Sequence, residues 1–123
     1  MKKNDEKEEN ILILSLSDKR LKKVTQVLSN ETAVKIVEKL LERSMSSTEL
    51  AEALNMPLTT AKYNLDALVE AEIIKVKYSG FSKKGREVKY YAPVKRVLVL
   101  MPEKKESEVI ALLRKAFKPL LIL

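Results

Sequence analysis

Residues 55–74, NMPLTTAKYNLDALVEAEII, decide the fold. The apolar residues recur at helical spacing and, at about 100° per residue, fall within one sector about 100° wide. The inward residues predicted in this way are Leu58, Ala61, Leu65, Leu68 and Val69. Pro57 suits the first turn of a helix, and the pattern ends near Ala71 or Glu72. The stretch therefore predicts an amphipathic helix with one buried side.

The other side of this helix carries hydrogen-bonding groups in its first two turns. Thr59, Thr60 and Tyr63 are predicted to face outward, with Lys62 and Asn64 on the flanks. Hydroxyl groups can donate to or accept from base edges, and a threonine methyl can contact a thymine methyl. Asp66 and Glu70 follow and would repel phosphate, so only the start of the helix suits a DNA groove. An ordinary solvated helix carries the same residue types, so the helix alone leaves both interpretations open.

The segments on either side of residues 55–74 predict three further helices and a β-hairpin. SDKRLKKVTQVL and SNETAVKIVEKLLERS predict two helices, the second capped by Ser29 or Asn30. SSTELAEAL predicts a short helix with Ser46 and Glu49 in the capping-box arrangement. After the decisive stretch, IIKVKYS and EVKYYAPV alternate around GFSKKG, which predicts a β-hairpin with a basic tip. This order is that of a winged helix-turn-helix, and the conjunction is more specific than any single element.

The amino-acid composition excludes several classes of functional site. The chain has 123 residues, no Cys or His, only two glycines and a net charge of +7. These absences exclude disulfides, thiolate or imidazole metal ligands, and a glycine-rich phosphate loop. No spacing suggests a catalytic pair, so we expect no enzyme activity, no cofactor and no metal site. Residues 58–96 contain nine basic and four acidic residues, so +5 of the net charge of +7 lies where a DNA-binding surface needs it.

The hairpin tip supplies the remaining candidates for DNA contact. Lys83, Lys84 and Arg86 are expected to contact phosphates or the minor groove, although a solvated turn is the alternative. Lys75, Lys77 and Lys89 are expected on the exposed side of the hairpin and are not included as sites. The complete predicted DNA-binding set is Thr59, Thr60, Lys62, Tyr63, Asn64, Lys83, Lys84 and Arg86.

The pattern STELAEALN…TTAKYNLDALVEAEII…GREVKYY resembles the winged-helix transcription regulators related to the ArsR (arsenical-resistance repressor) family, in particular archaeal members without metal ligands. The resemblance covers about residues 17–93. It implies a homodimer on a two-fold-related operator, with the DNA-reading segment on Leu58 to Asn64 and the wing tip on Ser82 to Arg86. Metal-sensing members carry thiolates where this chain has residues 51–53, Ala-Glu-Ala, so metal-dependent derepression is not expected.

The two ends of the chain carry separate predictions. Residues 1–10 are predicted to be a disordered charged tail, 11–101 the winged helix with flanking strands, and 102–123 a C-terminal helix. ILILSLS and RVLVLMP are β-like and are expected to pair with each other or to extend the wing sheet; two separate buried segments are the alternative. The C-terminal helix has an apolar stripe that either packs on its own chain or forms a dimer. The predicted dimerisation residues are Val109, Leu112, Leu113, Ala116 and Phe117.

We therefore expect an α+β, mainly helical protein with a β-hairpin wing, short terminal strands and a C-terminal dimerisation helix. The predicted function is a cytoplasmic, sequence-specific double-stranded DNA-binding regulator, a repressor acting as a homodimer. The alternative is a winged-helix protein-interaction module or a membrane-tethered adaptor that does not read DNA. A membrane partner is expected only if the native chain continues past Leu123, because the terminal LLIL either tucks into the dimer or precedes a membrane helix.

Overall fold

The computed structural model describes residues 11–102 and 106–116. The elements in chain order are β1 (Ile11–Ser15), α1 (Lys19–Leu28), α2 (Glu31–Glu42), β2 (Met45–Ser46), α3 (Ser47–Ala53), α4 (Leu58–Glu70), β3 (Ile74–Phe81), β4 (Glu87–Pro93), β5 (Val97–Met101) and α5 (Glu106–Ala116). They form two compact units. The winged-helix unit spans residues 19–95, and the terminal unit contains the described residues on either side of it. The predicted domain division instead grouped both flanking strands with the winged helix.

Local capping explains where two of the helices begin. The Asn30 side chain accepts hydrogen bonds from the Thr32 and Ala33 amides at 2.9 and 3.3 Å, which caps α2. At α3 the Glu49 amide donates to Ser46 Oγ at 3.2 Å, and the Ser46 amide donates to Glu49 Oε1 at 3.0 Å. The predicted capping box is therefore present, and Asn30, not Ser29, caps α2.

The turn between α3 and α4 sets the helix-turn-helix geometry. Asn55 adopts a left-handed backbone conformation with φ of 51°, which asparagine tolerates better than most residues. The Met56 amide donates to the Ala51 carbonyl at 2.9 Å, and Pro57 immediately precedes α4. The chain therefore leaves α3 and enters α4 within four residues.

The core of the winged-helix unit is aliphatic. It brings together one face of each of α1 to α4 with β2 and the start of β3, and its buried members are Val24, Val27, Ala33, Ile36, Leu40, Met45, Leu50, Leu65, Leu68, Ala71 and Ile74. Removal of this apolar surface from water is the main favourable contribution to folding of the unit.

Two side chains of α4 that were predicted to face inward are instead exposed. Leu58 is 40% exposed and Val69 is 37% exposed. The fully buried positions of α4 are Ala61, Leu65 and Leu68, and they are joined by Asn64. The buried sector of α4 is thus rotated by about 40° from the predicted one, which moves Leu58 and Val69 to its edge.

Two small sheets complete the fold. In the winged-helix unit, β2, β4 and β3 form an antiparallel sheet whose β3–β4 hairpin is the predicted wing. The two-residue strand β2 was not predicted from the sequence. In the terminal unit β1 and β5 pair in parallel, from Ile11 with Val97 to Ser15 with Met101, so the predicted pairing of ILILSLS with RVLVLMP is confirmed. Among the described helices, none combines the length and the apolar character needed to span a bilayer.

Candidate nucleic-acid interface

The start of α4 presents polar side chains to solvent. Tyr63 is 72% exposed, Thr59 and Lys62 are exposed, and Thr60 is partly exposed. The first turns of the helix contain no acidic residue. Four of the five predicted residues of this helix therefore lie on one accessible surface, which offers hydroxyls, a phenol and an ammonium group.

Asn64 is the exception and corrects the sequence-based placement. It is only 4% exposed, and its Nδ2 donates to the Thr60 carbonyl at 2.9 Å. The rotation of the buried sector places it beside Leu68 on the inner side of the helix. Because its side-chain amide is buried and donates a hydrogen bond to a carbonyl of the same helix, Asn64 is not part of the exposed surface and is poorly placed to contact a base.

The second half of α4 has a different electrostatic character. The Lys23 ammonium group of α1 forms an ion pair with the Glu70 carboxylate, with 2.8 Å between Nζ and Oε1. The hydrogen bond from Lys23 and its positive charge hold the pKa of the Glu70 carboxyl below its ordinary value. Tyr63, Asn64 and Glu70 line a shallow groove of about 280 Å³ between α1 and α4. This half of α4 is thus tied to the body of the unit and carries acidic groups that oppose phosphate.

The wing tip is a closed turn with three exposed cations. The Ser82 amide donates to the Arg86 carbonyl at 2.8 Å, and the Gly85 amide donates to the Ser82 carbonyl at 2.9 Å. Gly85 has φ of +78°, a conformation that glycine adopts without strain. Lys83, Lys84 and Arg86 are all exposed around this turn, as predicted from GFSKKG.

A cleft of about 440 Å³ lies between the start of α4 and the wing. We call it the wing cleft. Its walls are Ser47 and Thr48 of α3, Leu58, Lys62 and Asp66 of α4, and Ser82, Arg86, Glu87, Val88, Lys89 and Tyr91 of the wing. Two residues predicted separately, Lys62 and Arg86, therefore lie along one concavity. Burial raises the pKa of the Tyr91 phenol, and the Asp66 carboxylate raises it further.

The predicted DNA-binding set contains only Lys62 and Arg86 of the polar residues that line the wing cleft, and Lys89 and Thr48 are among those it left out. Lys89 was set aside as a solvated hairpin lysine, and Thr48 was treated only as part of a short helix. The alternation of β4 was a usable signal, because Lys89 lies on the same strand face as Glu87 and Tyr91. Which face of the hairpin meets α4 depends on tertiary packing and is not encoded in that alternation.

Comparison with known proteins agrees with this geometry. Residues 28–77 match a family model described as a helix-turn-helix domain. No curated protein is significantly similar to the chain in sequence. A match to a helix-turn-helix domain agrees with the prediction that the chain is not an enzyme.

Several solved structures have a similar fold. One is the solution structure of a homodimeric winged helix-turn-helix DNA-binding domain from Mycobacterium bovis, a possible ArsR-family transcriptional regulator, with 21% identity, a TM-score of 0.52, and coverage of 80% of this chain and 79% of that chain. A crystal structure of a possible transcriptional regulatory protein from the same organism has 21% identity, a TM-score of 0.52 and coverage of 80% and 91%. Reduced HlyU from Vibrio cholerae has 15% identity, a TM-score of 0.50 and coverage of 80% and 88%.

Residues 28–77 thus form a helix-turn-helix domain within a winged helix-turn-helix fold, and the predicted resemblance to ArsR-like transcription regulators is confirmed at the level of the fold.

Proposed function

We propose that this protein is a sequence-specific double-stranded DNA-binding regulator that acts in the cytoplasm as a homodimer and represses transcription by occupying its operator. The start of α4 enters the major groove, where Thr59, Thr60, Lys62 and Tyr63 meet base edges and phosphates. Lys83, Lys84 and Arg86 of the wing contact the adjacent backbone.

One observation carries this proposal: the exposed start of α4 and the cationic wing border the same cleft. Lys62 of α4 and Arg86 and Lys89 of the wing line it, although they are far apart in the sequence. When the start of α4 enters the major groove, the phosphates that border this groove lie close to these three cations. The acidic second half of α4, with Asp66 and Glu70, favours entry by the tip of the helix.

The homodimer is proposed to form through α5. Leu112 is 60% exposed and Ile110 is 42% exposed, Ala116 is exposed, and Leu113 is partly exposed. The Val109 side chain and Phe117 lie outside the described part of the structure. An apolar stripe left accessible on one chain is suited to burial against a second copy, and the similar domain from Mycobacterium bovis is homodimeric.

Fluorescence anisotropy with labelled duplexes tests DNA binding. The DNA upstream of the protein's own coding region is tiled into short duplexes, and each is compared with a scrambled duplex of equal length and composition across a salt series. We expect one duplex to bind at least about a thousandfold more tightly than its scrambled control, with affinity falling as salt rises. Equal binding of all duplexes would refute sequence specificity. Absence of any binding would favour a helix-turn-helix module that recognises a protein.

Replacement of Leu112 by lysine tests the dimer. We expect light scattering to give a dimer mass for the native chain and a monomer mass for Leu112→Lys, because a charge placed in an apolar interface loses its hydration. The matched control is Leu41→Lys, which changes an equally exposed leucine of the winged-helix unit. A native chain that is monomeric at all concentrations, or a Leu112→Lys dimer of unchanged affinity, would contradict a dimer through α5.

A further inference from the structure

Phe81 is the most exposed large apolar side chain in the described part of the chain, with 79% of its surface accessible. It is the last residue of β3 and precedes the turn that carries Lys83, Lys84 and Arg86. A single exposed apolar residue on a protein surface needs no explanation by itself. The position of Phe81, directly beside three cations of a proposed DNA-binding element, is what separates it from the other exposed side chains.

The strand register shows which way Phe81 faces. Phe81 pairs with Glu87, and Ser79 pairs with Lys89, in a regular part of the antiparallel ladder. Paired residues lie on the same face of a sheet, and alternate residues of one strand share a face. Phe81 therefore shares a face with Glu87 and Lys89, which line the wing cleft opposite Leu58 and Lys62. It lies on the side of the wing turned toward α4.

Hydrogen bonds close the wing tip directly after Phe81. Ser82, its neighbour, bonds through its amide to the Arg86 carbonyl, and its Oγ accepts from the Arg86 amide at 3.2 Å. On the opposite face Tyr78 and Tyr90 stack with ring centroids 4.8 Å apart, which stiffens the same hairpin. A hydrogen-bonded hairpin that presents an exposed phenyl ring next in sequence to a turn with three exposed cations could place an apolar side chain against DNA while the cations contact phosphates.

We propose that Phe81 is a DNA-contacting residue of the wing that inserts against a base step in the minor groove, next to phosphates held by Lys83, Lys84 and Arg86. This inference rests on the proposed DNA-binding function. Apolar side chains at such positions partly unstack a base step and bend the duplex toward the major groove. The wing then contributes to site selection through the ease of deforming the DNA, since flexible pyrimidine–purine steps bend more easily than stiff ones.

The absence of tryptophan from the chain allows a direct test. Phe81→Trp introduces a single tryptophan at the wing tip, and Tyr78→Trp places one on the same strand but on the opposite face. With the tightest-binding upstream duplex, we expect the emission of Phe81→Trp to be strongly quenched and protected from iodide, because the indole stacks on bases. The emission of Tyr78→Trp should stay unchanged. Circular dichroism confirms that both variants fold.

Affinity and bending provide the second readout. Phe81→Ala should weaken binding to that duplex about tenfold and reduce the bend measured by energy transfer between dyes at the duplex ends. Phe81→Leu, which keeps an apolar wedge, should lose about threefold or less. If the native protein binds but Phe81→Ala matches it in affinity and bend, and Phe81→Trp is unquenched, the inference is wrong while the proposed function stands. A native protein that binds no duplex overturns both. Quenching of Phe81→Trp by anionic phospholipid vesicles and not by DNA would also overturn it and would indicate a membrane contact.

Discussion

The two sides of α4 have opposite roles although their residues alternate along 13 positions of one helix. Leu65 and Leu68 are fully buried in the core, while Tyr63 is 72% exposed at the proposed DNA-binding surface. We expect substitutions on the inner side to change the free energy of unfolding, and substitutions on the outer side to change the free energy of DNA binding. Stability and the proposed recognition should therefore be separable within a single helix, and each can be measured without the other.

The largest expected effect is on the inner side. Leu68→Ala leaves a cavity among side chains from several helices and should lower the free energy of unfolding by about 3 kcal/mol. The measurement is urea denaturation at one fixed protein concentration, because dimerisation makes stability depend on concentration.

Leu41→Ala is the matched control for this change, since Leu41 is 67% exposed. Its effect on the free energy of unfolding should stay within about 0.5 kcal/mol. Below its melting temperature, Leu68→Ala should keep the native order of preference among duplexes. A change in that order would show that the inner side of α4 also affects which duplex is preferred.

On the outer side, Tyr63→Ala should weaken binding of the operator about tenfold. Base changes at the positions that the phenol contacts should then no longer reduce affinity, and base changes at the other positions should reduce it as they do for the native protein. The free energy of unfolding of Tyr63→Ala should change by no more than about 0.5 kcal/mol, because the side chain contributes little to the core. The measurement is anisotropy with a set of single-base variants of the operator. A uniform loss over all variants would place Tyr63 at the backbone and not at base edges.

The wing tip should respond in the opposite manner. Lys83→Gln combined with Lys84→Gln should weaken every duplex alike, by about fivefold at moderate salt, and reduce the slope of log affinity against log salt by about two. Lys35→Gln, which removes an exposed charge from α2, is the control and should leave the slope unchanged. An unchanged slope in the double variant would mean that these lysines stay in solvent when DNA binds.

Local features of the fold were predictable from the sequence because local chemistry determines them. The capping box at Ser46 and Glu49 and the hairpin around GFSKKG each depend on a few neighbouring residues, and the structure contains both. The burial of Asn64 was not predictable in this way. It follows from a rotation of about 40° in the buried sector of α4, and that rotation depends on how neighbouring helices pack against it.

The same distinction applies to the candidate site. The exposed start of α4 and the basic wing tip could be predicted from residue types and spacing. The wing cleft could not, since it forms only when Lys62, Arg86 and Lys89 come together from α4 and the wing. Phe81 was also missed, because an exposed phenylalanine next to a turn has no sequence signal that distinguishes it from a buried strand residue.

The smallest expected effect concerns Glu70, where the outer side of α4 meets α1. Its ion pair with Lys23 lowers the pKa of the carboxyl, so the folded protein favours the charged form more than the unfolded chain does. The stabilisation is present above the ordinary carboxyl pKa and is lost as pH falls through the lowered value. Glu70→Gln should therefore be slightly less stable than the native chain at pH 7, since an exposed ion pair contributes little, and the difference should shrink as the pH falls through the lowered pKa and the native carboxyl takes up its proton. Urea denaturation at pH 7 and at acidic pH measures the difference, with Glu52→Gln on the exposed side of α3 as the control. A difference that persists at low pH would show that residue 70 acts through packing and not through its charge.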